Sequence, residues 1–285
     1  MKRTLKIIAC LSCLVLLNSC TIRLSYHLLD NIIMWELNQY TSLKGQQKKD
    51  ARQAIDDFHK WHRQTQLDDY ADYLENLKSQ MLAGPVSAKF LHKESDKLQN
   101  MLDVSADKIL PSVTDVAATL SEDQIQQVLE KLKDDREEYR KDYIDAVDEK
   151  IQKRRIRDLT RYIGGFFGRF TEEQKQRLID WEDSLEPHEE FMIKQQIKWQ
   201  AEFIEAMTFQ DQPTELQARL RNLILYRTDN WDTELQRRLD VNQTLTFVML
   251  ADLFNSQTEK QKQKMERKFD QYIGDLRALA KRAES

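Results

Sequence analysis

Glycine and proline are scarce in this chain, and their scarcity limits what it can fold into more than any other feature. Six glycines and four prolines are spread over 285 residues, whereas average usage would place these two residue types at roughly 12% of positions. Tight turns between strands depend on the backbone freedom of glycine and on the fixed φ angle of proline. The composition therefore favours few turns and long helices, and a β-sandwich, β-barrel or βαβ architecture is close to excluded.

Apolar residues recur at helical spacing between the few breakers. In the last segment, five apolar side chains follow at steps of four and three residues, the period of one helix face: Met265, Phe269, Tyr272, Leu276 and Leu279. The expected helix boundaries are Gly45, Gly84 with Pro85, Pro111, the glycine cluster at 164–168, Pro187, Pro213, and Asn255 with Ser256. We predict an all-α, elongated bundle of long amphipathic helices, in which the helices of residues 24–80 pack against a last helix at 258–283.

The first twenty residues carry a different signal. Three cations precede an apolar stretch at 7–17 that is too short to span a membrane. The stretch ends in Leu-Asn-Ser-Cys at 17–20, which resembles the lipobox of bacterial lipoproteins, with asparagine in place of the commoner small residue. We predict that residues 1–19 are a cleaved signal peptide and that 20–285 form a single helical domain tethered by lipidated Cys20. An ordinary secretory signal or an N-terminal helix anchor is the alternative.

The predicted lipid anchor places the protein in the bacterial envelope. Cys10 and Cys13 leave with the signal peptide and Cys20 becomes a thioether, so the mature chain keeps no free thiol in an oxidising compartment. Removal of three cations changes the net charge from −4 to −7, which argues against nucleic acid as a partner. Lipoproteins kept in the inner membrane typically carry aspartate after the cysteine, where this chain has Thr21. We expect a periplasm-facing outer-membrane protein, with the outer leaflet of the inner membrane as the alternative.

One short pattern recurs at three of the expected helix starts. A hydroxyl residue is followed three positions later by glutamine, as in a capping box, where each side chain satisfies a free backbone amide of the other residue. The pairs are Ser121 with Gln124, Thr171 with Gln174, and Thr258 with Gln261; a degenerate copy without the hydroxyl covers 43–47. These positions predict helix N-termini. The pattern also resembles the Leu-Thr-x-x-Gln repeats of Spy-type periplasmic chaperones, and this local resemblance implies the binding of unfolded clients.

The densest set of distinctive residues lies before residue 75. It comprises Tyr26, Asp30, Trp35, Tyr40, Leu43, Gln47, Trp61, His62, Arg63, Leu67, Tyr70 and Leu74. Together with the later glutamine-containing helix starts and the closing segment 272–276, these residues resemble a family of uncharacterised proteobacterial lipoproteins. The resemblance spans most of the mature chain and implies an all-helical lipoprotein of unknown function. It brings no catalytic or binding residues with it.

Two histidines, His59 and His62, supply the best candidate for a metal site. On a helix, Asp56, His59 and His62 would share one face and offer two imidazoles and a carboxylate. Helical zinc ligands usually stand four residues apart, and neighbouring cations would repel a metal ion. The alternative is that Phe58 and Trp61 pack inward while the histidines bond carboxylates or solvent. We expect no metal and no cofactor.

Charge is distributed unevenly along the middle of the chain. Residues 121–149 hold eleven acidic and five basic side chains, and residues 150–163 hold six basic and one acidic. Four of the basic residues follow near-helical steps, and we call them the basic stripe: Lys150, Arg154, Arg157 and Arg161. Complementarity to helix dipoles and ion pairs four residues apart would explain the stripe structurally. As a binding surface it would meet phosphate head groups, lipopolysaccharide or an acidic partner protein.

No sequence motif indicates enzymatic chemistry. The glycine cluster at 164–168 lacks the lysine and hydroxyl residue of a phosphate-binding loop and favours a turn that ends a helix, and neither Gly-x-Ser-x-Gly nor His-Glu-x-x-His occurs. Most of the five tryptophans should lie in the core, and any exposed remainder would suit protein binding. We expect a non-enzymatic scaffold or partner-binding module with an envelope protein partner and no identified small-molecule substrate. A holdase-like chaperone or envelope-stress factor is the alternative, and an enzyme is third.

Overall fold

A computed structural model describes residues 22–225 and 231–281, and these residues form eleven helices and no strand. The helices are α1 (Ile22–Tyr40), α2 (Gly45–Thr65), α3 (Leu67–Ala83), α4 (Ala88–Ala118), α5 (Glu122–Tyr143), α6 (Asp148–Phe167), α7 (Glu172–Asp183), α8 (Glu189–Met207), α9 (Pro213–Ile224), α10 (Thr233–Asn255) and α11 (Glu259–Lys281). The all-α prediction is confirmed. The predicted signal peptide and Cys20 lie outside the described residues.

None of the helices in residues 22–225 and 231–281 is both long and apolar enough to cross a membrane.

The three predicted capping boxes lie at helix starts. The hydroxyls of Ser121, Thr171 and Thr258 accept hydrogen bonds from the backbone amides three residues later, at 3.2–3.3 Å. The glutamine carbonyl in each box accepts in return from the backbone amide of the capping residue, at 2.9–3.1 Å. The degenerate copy keeps half of this arrangement, because Gln47 accepts from the amide of Lys44 at 3.2 Å. These local bonds fix where α2, α5, α7 and α11 begin.

One of the expected boundaries is wrong. Pro111 lies inside α4, because Leu110 and Thr114 on either side of it are buried and tertiary packing holds the helix through the proline. The glycine cluster does end a helix, as expected: Gly164 and Gly165 still belong to α6, and the helix ends at Gly168, whose φ of +73° suits glycine.

The apolar face that runs through residues 121–163 is divided between two helices. α5 ends at Tyr143, where the backbone amides of Ile144 and Asp145 both donate to the carbonyl of Arg140, at 2.8 and 3.0 Å. Tyr143 and Ile151 then lie in the same buried cluster on opposite sides of the break. The chain turns here without glycine or proline, so composition gave no sign of it.

The N-terminal helices pack against the C-terminal helix, as predicted. Leu67, Ala71 and Met81 of α3 are buried against α11, which contributes Met265 and Phe269 to the same cluster. A second cluster joins α4, α8 and α9, and a third joins α5, α6, α8 and α10. The third cluster therefore fixes the inner face of α6, the helix that carries the basic stripe.

Candidate functional site

The three metal candidates have different surroundings. Asp56 is exposed, whereas His59 is buried and its Nδ1 contacts the carboxylate of Asp30 on α1. His62 lies half-buried, with its Nδ1 2.9 Å from the hydroxyl of Tyr26. Within the described residues, no group of three or more His, Cys, Asp or Glu side chains could hold a metal ion. The two imidazoles thus join α1 to α2 through separate partners.

Burial governs the protonation of both rings. It lowers the pKa of His62 to about 4, and the nearby His59 acts in the same direction. Burial also lowers the pKa of His59, although Asp30 partly offsets the effect. Phe58 and Trp61 are half-buried and contact each other, whereas the fully buried position is taken by His59, which bonds a carboxylate. Both histidines are neutral at neutral pH and serve the packing of α1.

The basic stripe separates into an internal and an exposed part. Arg154 contacts the carboxylate of Asp142 and lies over the ring of Tyr143, 5.4 Å from its centre. Arg157 and Arg161 point outward, with 61% and 52% of their side chains exposed. Lys150 is exposed on the first turn of α6. Three of the four stripe residues are therefore exposed at the protein surface, and Arg154 is not.

One carboxylate serves both exposed arginines. Asp158 lies 3.1 Å from Arg157 and 3.7 Å from Arg161, and it also accepts a hydrogen bond from the hydroxyl of Tyr143 at 3.4 Å. Its side chain is mostly buried, so it stays attached to the helix surface. Two guanidinium groups thus share one negative charge, which leaves a net positive edge along α6.

A buried ion network, which the sequence pattern did not predict, lies on the opposite face of α6. The guanidinium of Arg155 donates to Glu182 at the end of α7 and to Glu189 at the start of α8, both at 2.5 Å. All three side chains are largely buried. A periodicity signal existed, since Arg155 stands four residues after Ile151 and four before Leu159, on the apolar face. The network joins three helices.

The charges within this network are well defined. Burial by itself would lower the pKa of Arg155, but Glu189 and Glu182 outweigh it and the pKa is raised. Burial would raise the pKa of Glu189, but His188 and Arg155 outweigh it and the pKa is lowered. Burial lowers the pKa of His188 itself, so at neutral pH its ring is neutral and Arg155 is the cation that holds the two glutamates.

The network is continued by neutral polar groups. Asn242 of α10 accepts from the amide of Glu186 and donates to its carbonyl, both at 2.8 Å, and its amide nitrogen lies 3.3 Å from Nδ1 of His188. Tyr139 is fully buried beside the network, and its hydroxyl has no hydrogen-bond partner among the described residues. Burial raises its pKa. These contacts fix the loop between α7 and α8.

Glutamines of the helix starts meet in pairs. Gln47 and Gln124 exchange side-chain hydrogen bonds at 3.0 and 2.8 Å. Gln47 also donates to the carbonyl of Thr119, and Gln124 donates to the carbonyl of Ser42, at 2.6 and 2.9 Å. Each glutamine therefore donates to the backbone carbonyl that lies two residues before the capping residue of the other helix.

The second pair repeats this arrangement in the other half of the chain. Gln174 and Gln261 exchange hydrogen bonds at 3.1 and 2.9 Å. Gln174 donates further to the carbonyl of Ser256 and Gln261 to that of Arg169, at 3.2 and 3.0 Å. The repeated glutamine thus has a structural use in this protein, because it fastens the start of α2 to that of α5 and the start of α7 to that of α11.

The model of a family of unknown function (DUF6279) matches residues 39–236. The chain belongs to this family. The matched region runs from the last turn of α1 into the first turn of α10, so it contains the basic stripe, the Arg155 network and the first glutamine pair. Searches among curated proteins and among solved structures found no match. The expected membership in an uncharacterised family is confirmed, and the DUF6279 match assigns no role to any residue.

Proposed function

We propose that the protein is a non-enzymatic scaffold, anchored by lipid at Cys20 to the periplasmic face of the outer membrane, that binds an acidic envelope protein. The observation that carries the proposal is the exposed pair Arg157 and Arg161, which share a single carboxylate on a rigidly packed helix. Arginine is enriched at protein interfaces and pairs well with carboxylates. A positive edge on a chain with net charge −4 is suited to select an acidic partner surface.

The use of the buried polar groups supports a structural rather than a catalytic role. Arg155 joins Glu182 and Glu189, and each histidine of α2 is engaged with a side chain of α1. These groups connect helices to one another. A group that acts on a substrate must instead be directed into a site that the substrate can enter.

Two features of the sequence support the location. The segment at 17–20 resembles a lipobox, and Thr21 follows the cysteine where inner-membrane lipoproteins carry aspartate. The acyl chains on such a cysteine anchor a protein firmly without a transmembrane helix, since each buried methylene contributes roughly 0.8 kcal/mol.

In-cell photo-crosslinking tests the partner. A photo-reactive residue replaces Arg157, and a control replaces Lys262 on α11, which is about as exposed as Arg161 and pairs with Glu259. We expect one discrete protein adduct from position 157, absent from position 262 and lost when Arg161→Glu is added. Equal adducts from both positions, or no protein adduct at 157, would contradict the proposal.

A holdase-like chaperone is the second candidate, and one observation favours it. Ile197 and Ile204 stand two turns apart on α8 with 52% and 44% of their surface exposed, and exposed apolar residues on one helix face can bind unfolded chains. In the same crosslinking experiment with a further probe at Ile204, a chaperone would give many adducts of different mass. It would also suppress aggregation of an unfolded client, and Ile197→Ser with Ile204→Ser would abolish that activity.

A further inference from the structure

Helix α1 carries an exposed apolar face. Leu28, Ile32 and Trp35 follow one another at steps of four and three residues, so they share one side of the helix. Their surfaces are 49%, 36% and 59% exposed. Soluble proteins rarely expose a tryptophan to this extent beside two exposed aliphatic side chains unless the patch has a binding role.

The opposite side of α1 is fixed to the bundle. Tyr26 and Met34 are buried, and Asp30 contacts the buried His59 of α2. The direction in which the apolar face points is therefore set by the fold. Exposed polar residues border that face, namely the uncharged Asn31 on one side and the acidic Glu36 on the other.

The predicted lipid anchor is close in sequence to the first described residues of α1. α1 begins at Ile22, two residues after Cys20. Because one residue spans at most about 3.6 Å, the Cα atom of Cys20 lies within roughly 7 Å of that of Ile22. Acyl chains on Cys20 would therefore hold the first described turn of α1 near the surface of the bilayer.

We propose that the exposed face of α1 lies on the lipid bilayer, with Leu28, Ile32 and Trp35 in the boundary between head groups and acyl chains. The inference rests on the lipid anchor of the proposed function. Tryptophan favours this boundary, where its apolar ring is buried and its indole N–H reaches water. Three side chains of one face then enter the interface, as in interfacial amphipathic helices. The domain is held in one orientation on the membrane, which fixes where the edge of Arg157 and Arg161 faces.

Spin labelling of the acylated protein tests the inference. The signal peptide removes Cys10 and Cys13 and acylation consumes the thiol of Cys20, so a single new cysteine can be labelled. Ile32→Cys reports on α1, and Ile197→Cys on α8 is the matched control at another exposed isoleucine. The purified full-length mature protein is reconstituted into vesicles of phosphatidylethanolamine and phosphatidylglycerol, after circular dichroism shows unchanged melting of both variants.

We expect the collision rate of the label at position 32 with a water-soluble nickel chelate to fall several-fold on reconstitution, while its collision rate with oxygen rises. The label at position 197 should show the same collision rates with both reagents before and after reconstitution. If the protein stays anchored and the label at 32 behaves like the control, the inference is wrong and the anchor stands. Dipolar broadening between labels at 32 would show that two copies cover each other's α1, and it would overturn the inference as well.

Intact-mass measurement separates this outcome from failure of the anchor. If Cys20 proves unmodified, the lipid-anchored function fails, and the inference is then decided by co-sedimentation of the unlipidated protein with the same vesicles. Binding that falls at least several-fold when Leu28, Ile32 and Trp35 are all changed to serine would support it. Absence of binding, or binding unaffected by the three substitutions, would overturn it.

Discussion

The side-chain amides of Gln174 and Gln261 hydrogen bond to each other in both directions, with nitrogen-to-oxygen distances of 3.1 and 2.9 Å. Each side chain also accepts a hydrogen bond from the backbone amide of the residue that caps its own helix, Thr171 or Thr258. Both side chains are buried, so their amides depend on these partners. Two helix starts that are far apart in the chain are thereby joined, and the same geometry recurs between Gln47 and Gln124.

Breaking this pair should destabilise the protein. Gln261→Leu removes a cap and leaves the amide of Gln174 buried with one donor unpaired, so we expect a loss of about 2 to 3 kcal/mol in the free energy of unfolding. Gln176→Leu, at an exposed position of the same helix as Gln174, should cost less than about 0.5 kcal/mol. Urea denaturation measures both. The double variant Gln174→Leu with Gln261→Leu should lose less than the sum of the single losses; strict additivity would show that the two side chains are not coupled.

The Arg155 network makes a second prediction. Arg155→Met leaves the carboxylates of Glu182 and Glu189 buried without their cation, so we expect a loss of about 3 to 5 kcal/mol. The exposed Arg157→Met should stay within about 0.5 kcal/mol of the parent. Thermal denaturation compares the two variants. Adding Glu182→Gln and Glu189→Gln to Arg155→Met should recover part of the loss. If the arginine variant alone melts like the parent, the network does not join these helices.

His62 predicts how stability depends on pH. Its pKa falls from an ordinary 6.5 to about 4 in the folded state because of burial, so protons bind more tightly to the unfolded chain. The contribution of the neutral ring to the free energy of unfolding is fully present above pH 6.5. It is lost progressively as the pH falls towards 4, by roughly 3 kcal/mol in all. The neutral ring can also accept from Tyr26, and protonation of Nδ1 removes this bond.

The pH prediction is checked by urea denaturation between pH 7 and pH 4. In His62→Gln the free energy of unfolding should decline less steeply with falling pH over this range. In His92→Gln, at an exposed histidine, it should decline as steeply as in the parent. An unchanged slope in the His62 variant would mean that other groups control the acid sensitivity.

Local signals in the sequence predicted the helix starts well. A hydroxyl residue and a glutamine three positions apart satisfy backbone groups within one turn, and Ser121, Thr171 and Thr258 lie where such a cap requires them. The packing of the first helices against α11 followed from amphipathic faces at both ends of the chain. The pairing of the glutamines was not predictable, because it depends on which helix starts meet in space.

The errors have a common physical cause. Pro111 is kept inside α4 by burial on both sides, and the break after Tyr143 arises without a glycine or proline. His59 is buried because Asp30 is within reach, and Arg155 is buried between two glutamates. In each case a tertiary contact overrides the local preference of the residue. Helical spacing predicted the exposure of Lys150, Arg157 and Arg161, but not the contact that turns Arg154 of the same stripe towards Asp142.

The chemical state of Cys20 decides whether the protein is a lipid-anchored scaffold. The protein is purified from detergent-solubilised membranes, and its N-terminal peptide and intact mass are measured by mass spectrometry. We expect the mature chain to begin at Cys20 with acyl groups attached, and Cys20→Ala to move the protein out of the membrane fraction. A chain that retains residues 1–19, or one that begins elsewhere with Cys20 unmodified, would contradict the lipid-anchored scaffold.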